Sequence, residues 1–331
     1  MIRYNFPSTF IRLCGLIAIV VLLSGCGRQI ANDRSKQQPR QPVKKLVGFS
    51  QMEHTGPWRV AETESMKAEA AKRGYELIVT DAGGDTAKQV KDVQDLVARG
   101  VEAIFLAPRE YDGFAPAFEA ASGADIPVFL LDREAAGQIG KDFVAFIGSN
   151  FREEGRRVGD WVAKNSHGRA GIVILEGNRG SSVARDRNEG FMEAIASSPD
   201  IRVLASVPAD FIRMEGQKRM EELIKQFGKS ITAVYAHNDE MALGAIDALK
   251  AARMAPGKNV LVVSVDGQRS ALQAILAGEM NVTMECNPKF GPIAFDTYER
   301  YLRGEGIAPK VIVPDRFFDH SNAAQFLDDT Y

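Results

Sequence analysis

Polar and charged residues follow directly after four apolar stretches of the sequence. They are Gln51 after residues 46–50, Asp132 and Arg133 after 127–131, Asn238 and Asp239 after 231–236, and Asp266 after 260–265. Carboxylates accept hydrogen bonds, guanidinium groups donate them in a fixed fork, and asparagine does both. Trp58 and Phe211 add flat apolar faces. This mixture suits a small neutral polyol such as a sugar, because its hydroxyls donate and accept while its C–H face stacks on aromatic rings.

Each of these residues also has a purely structural explanation. Asn238 is a residue type that caps helices, and an apolar-periodic helix follows it. Asp266 precedes a glycine, as in many turns, and Asp132 with Arg133 could form a surface ion pair. The recurrence of the arrangement, together with the guanidinium of Arg187 near the start of another predicted helix, favours a binding site over four separate coincidences.

Apolar stretches typical of buried strands alternate with helical periodicity along most of the chain. Strands are predicted at 46–50, 76–81, 103–107, 127–132 and 143–147, and again at 171–175, 201–207, 231–236 and 260–266. Predicted helices at 85–99, 183–196 and 214–227 separate some of them. The alternation predicts an α/β fold with parallel sheets flanked by helices. About 285 residues exceed what one core usually serves, so we expect two lobes with a ligand crevice between them.

The first 25 residues have the pattern of an export signal. Arg3 and Arg12 precede an apolar stretch at 13–23, which is shorter than the roughly 20 residues of a membrane-spanning helix. The stretch runs into Leu-Ser-Gly-Cys at 23–26, which resembles the bacterial lipobox, so we expect Cys26 to carry a lipid anchor. The alternative is an ordinary signal peptide with an incidental cysteine. Residues 26–45 are polar and are expected to form a flexible tether.

Cysteine content and charge exclude several kinds of site. The 331 residues contain three cysteines, and their formal net charge is −2. Because signal cleavage removes Cys14 and acylation uses Cys26, only Cys286 remains in the folded part, and neither a disulfide framework nor a metal site is expected. No complete P-loop, HExxH or GxGxxG pattern occurs in the sequence, so no cofactor is expected. The interspersed charges give no basic footprint for a nucleic-acid partner.

Several segments, in order along the chain, resemble the class I periplasmic sugar-binding proteins of ABC importers, of the ribose and galactose type. They are VFLLDR at 128–133, SSVARDRNEGF at 181–191, PADF at 208–211, AHNDEMALGA at 236–245 and VSVDG at 263–267. GPWRVAETE at 56–64 resembles the galactofuranose-binding members more than ribose binders, which carry an Asn-Pro-Phe-Phe type segment there. The resemblance implies two doubly wound parallel-sheet lobes joined by a three-segment hinge, the periplasmic binding protein-like I fold.

The resemblance also implies lobe boundaries and sugar contacts. The N-terminal lobe would comprise residues 46–147 and 287–313 and the C-terminal lobe 148–286 and 314–331, with hinge strands crossing near 147–149, 285–287 and 313–314. Because Arg59 stands where ribose binders carry an aromatic ring, we expect a hexose whose exocyclic hydroxyls meet the guanidinium donors. A hexose in furanose form such as galactofuranose satisfies this, and a hexopyranose is the alternative. The implied sugar contacts are Gln51, Trp58, Arg59, Glu62, Asp132, Arg133, Arg187, Phe211, Asn238, Asp266 and Glu285.

A solute receptor is the function that the resemblance implies. It would close on a monosaccharide and deliver it to the permease and ATPase subunits of an ABC transporter. We expect a monomer in the periplasm or at the cell surface, attached to the membrane through lipidated Cys26, that binds without catalysis. A sensor that presents its sugar-loaded form to a histidine kinase or chemoreceptor is the main alternative. A dehydrogenase or sugar-modifying enzyme is a further one, whereas a LacI-type repressor would need a helix-turn-helix where the export signal lies.

Overall fold

The computed structural model of the protein describes residues 45–331. The predicted signal peptide, the lipid anchor at Cys26 and nearly all of the predicted tether lie outside the described residues. Lys45, predicted as the last residue of the tether, begins the first strand instead.

Six strands form the first sheet: β1 (Lys45–Gln51), β2 (Tyr75–Asp81), β3 (Ile104–Leu106), β4 (Val128–Leu131), β5 (Ala145–Gly148) and β11 (Lys310–Ile312). Their spatial order is β11-β5-β4-β3-β1-β2, and every neighbouring pair is parallel. Strand β1 lies inside this sheet, and its residues from Val47 to Gln51 are buried, as expected for a parallel strand covered by helices on both faces.

Six further strands form the second sheet: β6 (Arg169–Glu176), β7 (Asp200–Pro208), β8 (Ala233–Ala236), β9 (Leu261–Asp266), β10 (Val282–Glu285) and β12 (Phe317–Asp319). Their order is β12-β10-β9-β8-β6-β7. The sheet departs from the expected parallel arrangement at one edge, where β12 pairs with β10 antiparallel. The reason is topological: a short link from β11 brings the chain to the end of β10, where β12 starts opposite Met284 and runs back along β10.

Ten α-helices lie in the described residues. They are α1 (Gly56–Arg73), α2 (Thr86–Ala98), α3 (Ala115–Gly123), α4 (Phe151–Asn165), α5 (Ser182–Ile195), α6 (Arg213–Phe227), α7 (Asp239–Ala251), α8 (Arg269–Leu276), α9 (Gly291–Leu302) and α10 (Ala323–Phe326). Polar side chains fix several starts: Asp85 accepts hydrogen bonds from the first-turn amides of α2, and Ser181 accepts one from Ala184 N in α5. At these helix starts, the capping side chains satisfy N–H groups that would otherwise be unpaired.

The chain passes between the two sheets three times, after β5, after β10 and after β11. We refer to the first sheet with its helices as lobe 1 and to the second with its helices as lobe 2. Helix α9 belongs with lobe 1, because Gly291 N donates a 3.0 Å hydrogen bond to Ser65 Oγ of α1. The three passages lie near the predicted hinge positions, and the residue-level lobe boundaries stay predictions.

Aromatic and aliphatic side chains fill both lobes. In lobe 1, Phe105 packs on Phe295 with ring centroids 5.1 Å apart, and both rings are fully buried. In lobe 2, Phe191 stacks on Tyr235 at 4.2 Å. Each buried side chain of this size contributes roughly 1.5–3 kcal/mol of transfer free energy, which stabilises the packing of helices against each sheet. Within residues 45–331, no helix combines the length and the hydropathy that crossing a membrane requires.

Candidate ligand-binding site

A cleft lies between the lobes at the carboxyl ends of several strands. Its cavity volume is about 70 Å³, and the total rises to about 540 Å³ when all the surrounding non-atom space is counted with open solvent included. Residues after β1, β4 and β8 and the last residue of β9 contribute to its wall, as expected for parallel α/β sheets. The lining residues are Glu53, Thr55, Gly56, Pro57, Trp58, Arg59, Asp132, Arg133, Val183, Arg187, Phe211, Asn238, Glu240, Asp266 and Cys286.

Asp132 and Asp266 occupy equivalent places at the ends of β4 and β9, one in each lobe. Both have positive φ, +61° for Asp132 and +130° for Asp266, which is uncommon for residues other than glycine. The left-handed turn at Asp132 ends β4 at Leu131, one residue before the predicted strand end. Backbone of this kind is concentrated at ligand sites, where the surrounding structure enforces it. The two carboxylates are therefore held against the cleft by the backbone itself.

Arg133 is a buried guanidinium whose donors are only partly used. Its Nη1 donates to the carbonyl of Arg109 at 2.6 Å, and its Nε lies 3.6 Å from Asp132 Oδ2. Nε finds no hydrogen-bond acceptor within the described part of the chain. Burial, together with the nearby charge of Arg59, lowers the pKa of Arg133 to about 9, so the side chain is still a cation at neutral pH. The residue thus offers an unused charged donor at the cleft.

Arg59 connects the first turn of α1 to the end of β4. Its Nη2 donates to Asp132 Oδ2 at 2.5 Å, and its Nη1 donates to Glu62 Oε2 at 2.8 Å. The guanidinium also lies over the Trp58 ring, 4.5 Å from the centroid. Burial opposes the charge on Arg59, but Asp132 and Glu62 outweigh it and raise the pKa of the guanidinium above its ordinary value. Two carboxylates therefore fix this side chain before any ligand arrives.

Phe211 supplies an aromatic face from lobe 2. Its ring packs directly over Gly177, so that a Cβ at that position would overlap the ring. Asp210 and Phe211 both have left-handed backbone, with φ of +54° and +63°. Across the cleft, the Arg133 guanidinium of lobe 1 lies 5.4 Å from the ring centroid. The ring therefore meets a charged group of the opposite lobe.

Asn238 both caps a helix and lines the cleft, the two roles considered from the sequence. Its Oδ1 accepts a 3.0 Å hydrogen bond from Met241 N, which caps α7, and its Nδ2 donates to the carbonyl of Phe211 at 3.2 Å. The residue also lines the cleft. The cap holds the amide in place at the cleft wall.

Two backbone amides of lobe 1 donate hydrogen bonds to lobe 2 beside the cleft. Tyr111 N donates to the carbonyl of Gly180 at 2.8 Å, and Glu134 N donates to Ser182 Oγ at 3.0 Å. Tyr111 and Glu134 belong to lobe 1, whereas the two acceptors lie at the start of α5 in lobe 2. These contacts define a closed arrangement, and separating the lobes would break them.

A family model described as a periplasmic binding protein domain matches residues 47–306. The chain belongs to the periplasmic binding protein family. It is 41% identical to the galactofuranose-binding protein YtfQ of Escherichia coli (strain K12) over 267 residues, which cover 80% of this chain and 84% of that protein.

Two solved structures of other proteins have the same fold as this periplasmic binding protein. The first is the periplasmic component of the arabinose ABC transporter from Shewanella sp. ANA-3, bound to α- and β-L-arabinofuranose, with a TM-score of 0.83 and 38% identity over 86% of this chain and 95% of that chain. The second is a Mycobacterium smegmatis protein in complex with β-D-fucofuranose, with a TM-score of 0.82 and 36% identity over 86% and 94% of the two chains. The predicted fold class is confirmed.

Most residues predicted as sugar contacts line the cleft of this binding protein. They are Trp58, Arg59, Asp132, Arg133, Arg187, Phe211, Asn238 and Asp266. The structure places Gln51, Glu62 and Glu285 outside the lining. Gln51 and Glu62 are fully buried behind Arg59, with Gln51 Nε2 donating to Glu62 Oε2 at 2.9 Å. Glu285 is engaged by Arg316, whose Nη2 and Nε donate to its two carboxylate oxygens at 2.6 and 2.8 Å.

Sequence reasoning missed part of the lining. Glu53 and Glu240 add carboxylates, and Cys286 and Val183 add small apolar surfaces. Glu240 directly follows the Asn238-Asp239 pair in the first turn of α7, and this proximity to the predicted site was the one available signal. Cys286 lies in the second passage between the sheets, where its carbonyl accepts a 2.8 Å hydrogen bond from Trp58 Nε1. Within residues 45–331, no cluster of three or more His, Cys, Asp or Glu side chains is arranged to hold a metal ion.

Proposed function

We propose that this periplasmic binding protein captures a neutral monosaccharide in furanose form and delivers it to the permease of an ABC importer. The observation that carries the proposal is the mixed wall of the cleft, in which carboxylates and guanidinium groups of both lobes converge beside aromatic faces. Sugar hydroxyls need both acceptors and donors, and the apolar face of the ring needs a flat surface. The groups assigned to contact the sugar are Trp58, Arg59, Asp132, Arg133, Arg187, Phe211, Asn238 and Asp266.

The charges in the cleft favour a neutral ligand. Each cleft guanidinium already faces a carboxylate of the protein, Arg59 at 2.5 Å from Asp132, Arg133 at 3.6 Å from the same residue, and Arg187 at 3.5 Å from Asp266. A carboxylate or phosphate on the ligand would enter beside these acidic groups and lose its hydration, which is unfavourable because each nearby guanidinium already has a carboxylate neighbour. Neutral hydroxyls meet no such repulsion.

The furanose ring is inferred from relatives and from Arg59. Two structural relatives are described with bound furanose sugars, and a third relative is named for galactofuranose. In this chain, Arg59 lies over Trp58 and keeps its Nε and one hydrogen on each Nη for a ligand, since Glu62 and Asp132 use the others. Exocyclic hydroxyls that project beyond a five-membered ring suit these remaining donors.

Hinge closure links binding to delivery. The closed lobes bring Arg133 over Phe211, so a permease can distinguish the closed, loaded receptor from an open one. Binding itself is the function, without chemical turnover. Lipidated Cys26, together with the tether before β1, would keep the receptor beside the membrane, since more than one acyl chain gives stable attachment.

Isothermal titration calorimetry of the purified protein against pentoses and hexoses tests the proposal. A sugar of about a dozen heavy atoms permits micromolar or tighter affinity within ligand-efficiency limits. We expect saturable binding of a neutral aldose and at least tenfold weaker binding of the matching uronic acid. Incubation of the same sugars with the protein and NAD should leave them unchanged. Absence of binding by every neutral monosaccharide, or turnover of any of them, would contradict the proposal.

A further inference from the structure

Arg187 occupies a fully enclosed place in the wall of the cleft. Its side chain is 3% exposed and makes contacts through each of its nitrogens. Nε donates to Glu154 Oε2 at 2.7 Å, and Nη1 donates to the carbonyl of His237 at 2.5 Å. Nη2 lies 3.5 Å from Asp266 Oδ1, longer than the other two contacts. Nη2 is therefore the nitrogen left for a ligand.

Glu154 lies behind Arg187 and outside the lining of the cleft. Its side chain is 1% exposed, and burial raises the pKa of its carboxyl, although Arg187 opposes that shift. Burial and the ion pair also act on Arg187. Burial opposes the charge of Arg187, but Glu154 and other anionic neighbours raise the pKa of the guanidinium well above its ordinary value. Glu154 is thus placed to act on Arg187 and not on a ligand.

Unusually close packing of α4 on α5 brings the two residues together. A Cβ on Gly155 would lie far inside 3.0 Å of the Arg187 carbonyl oxygen, and a Cβ on Gly190 would meet the Arg152 carbonyl in the same way. Any side chain at either position would force the helices apart. The adjacent Glu154 reaches the guanidinium only because the two backbones approach this closely.

We propose that Glu154 is a positioning residue for sugar binding, which fixes the Arg187 guanidinium so that Nη2 faces the cleft. The inference rests on the proposed function, because Arg187 is there assigned to contact the sugar. Glu154 also determines what Asp266 does. With Glu154 ionised, Arg187 has a closer partner than Asp266, and the Asp266 carboxylate stays available for a sugar hydroxyl. Without that charge, Arg187 turns to Asp266, and both groups are withdrawn from the ligand.

Glu154→Gln tests the role directly, because glutamine keeps the shape and one acceptor but removes the charge. We expect sugar affinity measured by calorimetry to fall at least tenfold. The matched control is Glu153→Gln, one residue earlier, where the side chain is more exposed and pairs with Arg156 on the surface of α4. That variant should bind within twofold of the parent. Equal affinity of Glu154→Gln and the parent would overturn the proposal.

A double-mutant cycle separates positioning from a general structural effect. If Glu154 acts through Arg187, then Glu154→Gln should change affinity less than twofold when Arg187 is already replaced by methionine. Additive losses in the Arg187→Met background would overturn the role. Glu154→Asp, which keeps the charge on a shorter side chain, should bind more tightly than Glu154→Gln.

NMR of the arginine Nε–H groups tests the role of Glu154 even if substitutions at that buried position prevent folding. In the unaltered protein without sugar, the Arg187 Nε–H signal should be protected from solvent exchange and should keep its position when sugar is added. Fast exchange in the sugar-free protein would show that Glu154 does not hold the side chain in advance. The signal reports on Arg187 even if no monosaccharide binds, so failure of the proposed function and failure of this inference are distinguishable.

Discussion

Replacing Gly177 by alanine would displace the Phe211 ring from the wall of the cleft. A Cβ added to Gly177 would lie well inside 3.0 Å of three ring atoms of Phe211. Carbon atoms in contact normally lie about 3.5–4.0 Å apart, so the ring has to retreat by roughly 1–2 Å. Gly177 has no positive φ, and its backbone accepts alanine without strain. The substitution therefore acts on the ring and not on the local backbone.

The displaced ring would lose two interactions. One is its place 5.4 Å from the Arg133 guanidinium of the other lobe, and the other is its face against the sugar. A cation–π contact contributes about 0.5–2 kcal/mol and an aromatic contact about 0.5–1.5 kcal/mol, so the joint loss is about 1–3.5 kcal/mol. At about 1.4 kcal/mol per factor of ten, sugar affinity should fall roughly 5- to 300-fold.

Calorimetric titration of Gly177→Ala, Phe211→Ala and the double variant measures the effect. The two single variants should weaken binding, and the double variant should bind no more weakly than Phe211→Ala, because both substitutions act on one ring. Gly123→Ala is the matched control, since a Cβ there meets nothing within 4 Å and should leave affinity unchanged. Wild-type affinity in both Gly177→Ala and Phe211→Ala, with the fold intact, would remove Phe211 from the site.

Three other predictions concern the sugar contacts, a buried carboxyl beside the hinge, and the lipid anchor. Arg133→Ala or Asp266→Ala should weaken sugar binding by about ten- to a hundredfold or more in calorimetry, because a hydrogen bond of a charged group contributes roughly 1.5–3 kcal/mol; unchanged affinity in both variants would exclude them from the site. Burial raises the pKa of Asp315, beside the third passage between the sheets, from 3.8 to about 8. The folded state thus keeps a proton that the unfolded chain loses across this window, and stability falls as pH rises through it. Asp315→Asn should therefore raise Tm more at pH 9 than at pH 4, whereas an equal shift at both pH values would contradict the assignment. Cys26→Ser should shift the expressed protein from the detergent phase to the aqueous phase in phase partitioning, and recovery of the unaltered protein in the aqueous phase would count against the lipid anchor.

Controls make the pH and anchoring predictions specific. Asp160→Asn changes an exposed carboxylate that pairs with Arg156 on the surface of α4, and its effect on Tm should not grow between pH 4 and pH 9 as that of Asp315→Asn does. Cys286→Ser provides the comparison for Cys26→Ser, because Cys286 is buried beside the cleft and its loss should leave detergent partitioning unchanged.

Strand ends were predictable from the sequence because burial and polarity change abruptly there. The predicted strand at 260–266 corresponds to β9 (Leu261–Asp266), and the predicted helix at 85–99 corresponds to α2 (Thr86–Ala98) within one residue at each end. Asp132, Asn238 and Asp266 line the cleft because parallel strands present their carboxyl ends at one edge of a sheet. Local pattern therefore carries much of the fold and most of the cleft wall.

Interactions between distant residues were not predictable in the same way. Glu285 follows a strand-like stretch, as Asp266 does, but Arg316 engages it from a segment about thirty residues later in the chain. Gln51 ends β1, yet its side chain turns into the protein toward Glu62. Short strands such as β11 (Lys310–Ile312) carry too few residues for a period-2 pattern. The pairing of buried charges depends on tertiary packing, which a single sequence does not encode locally.

The bound form of galactose tests the central claim most directly. Protein saturated with galactose labelled with ¹³C at C1 would be freed of excess sugar and observed by NMR, where furanose and pyranose anomers give separate C1 signals. If the cleft selects a five-membered ring with an exocyclic diol near Arg59, furanose signals should exceed their share in free solution by at least tenfold. Capture of pyranose alone, above its solution share, would contradict the account.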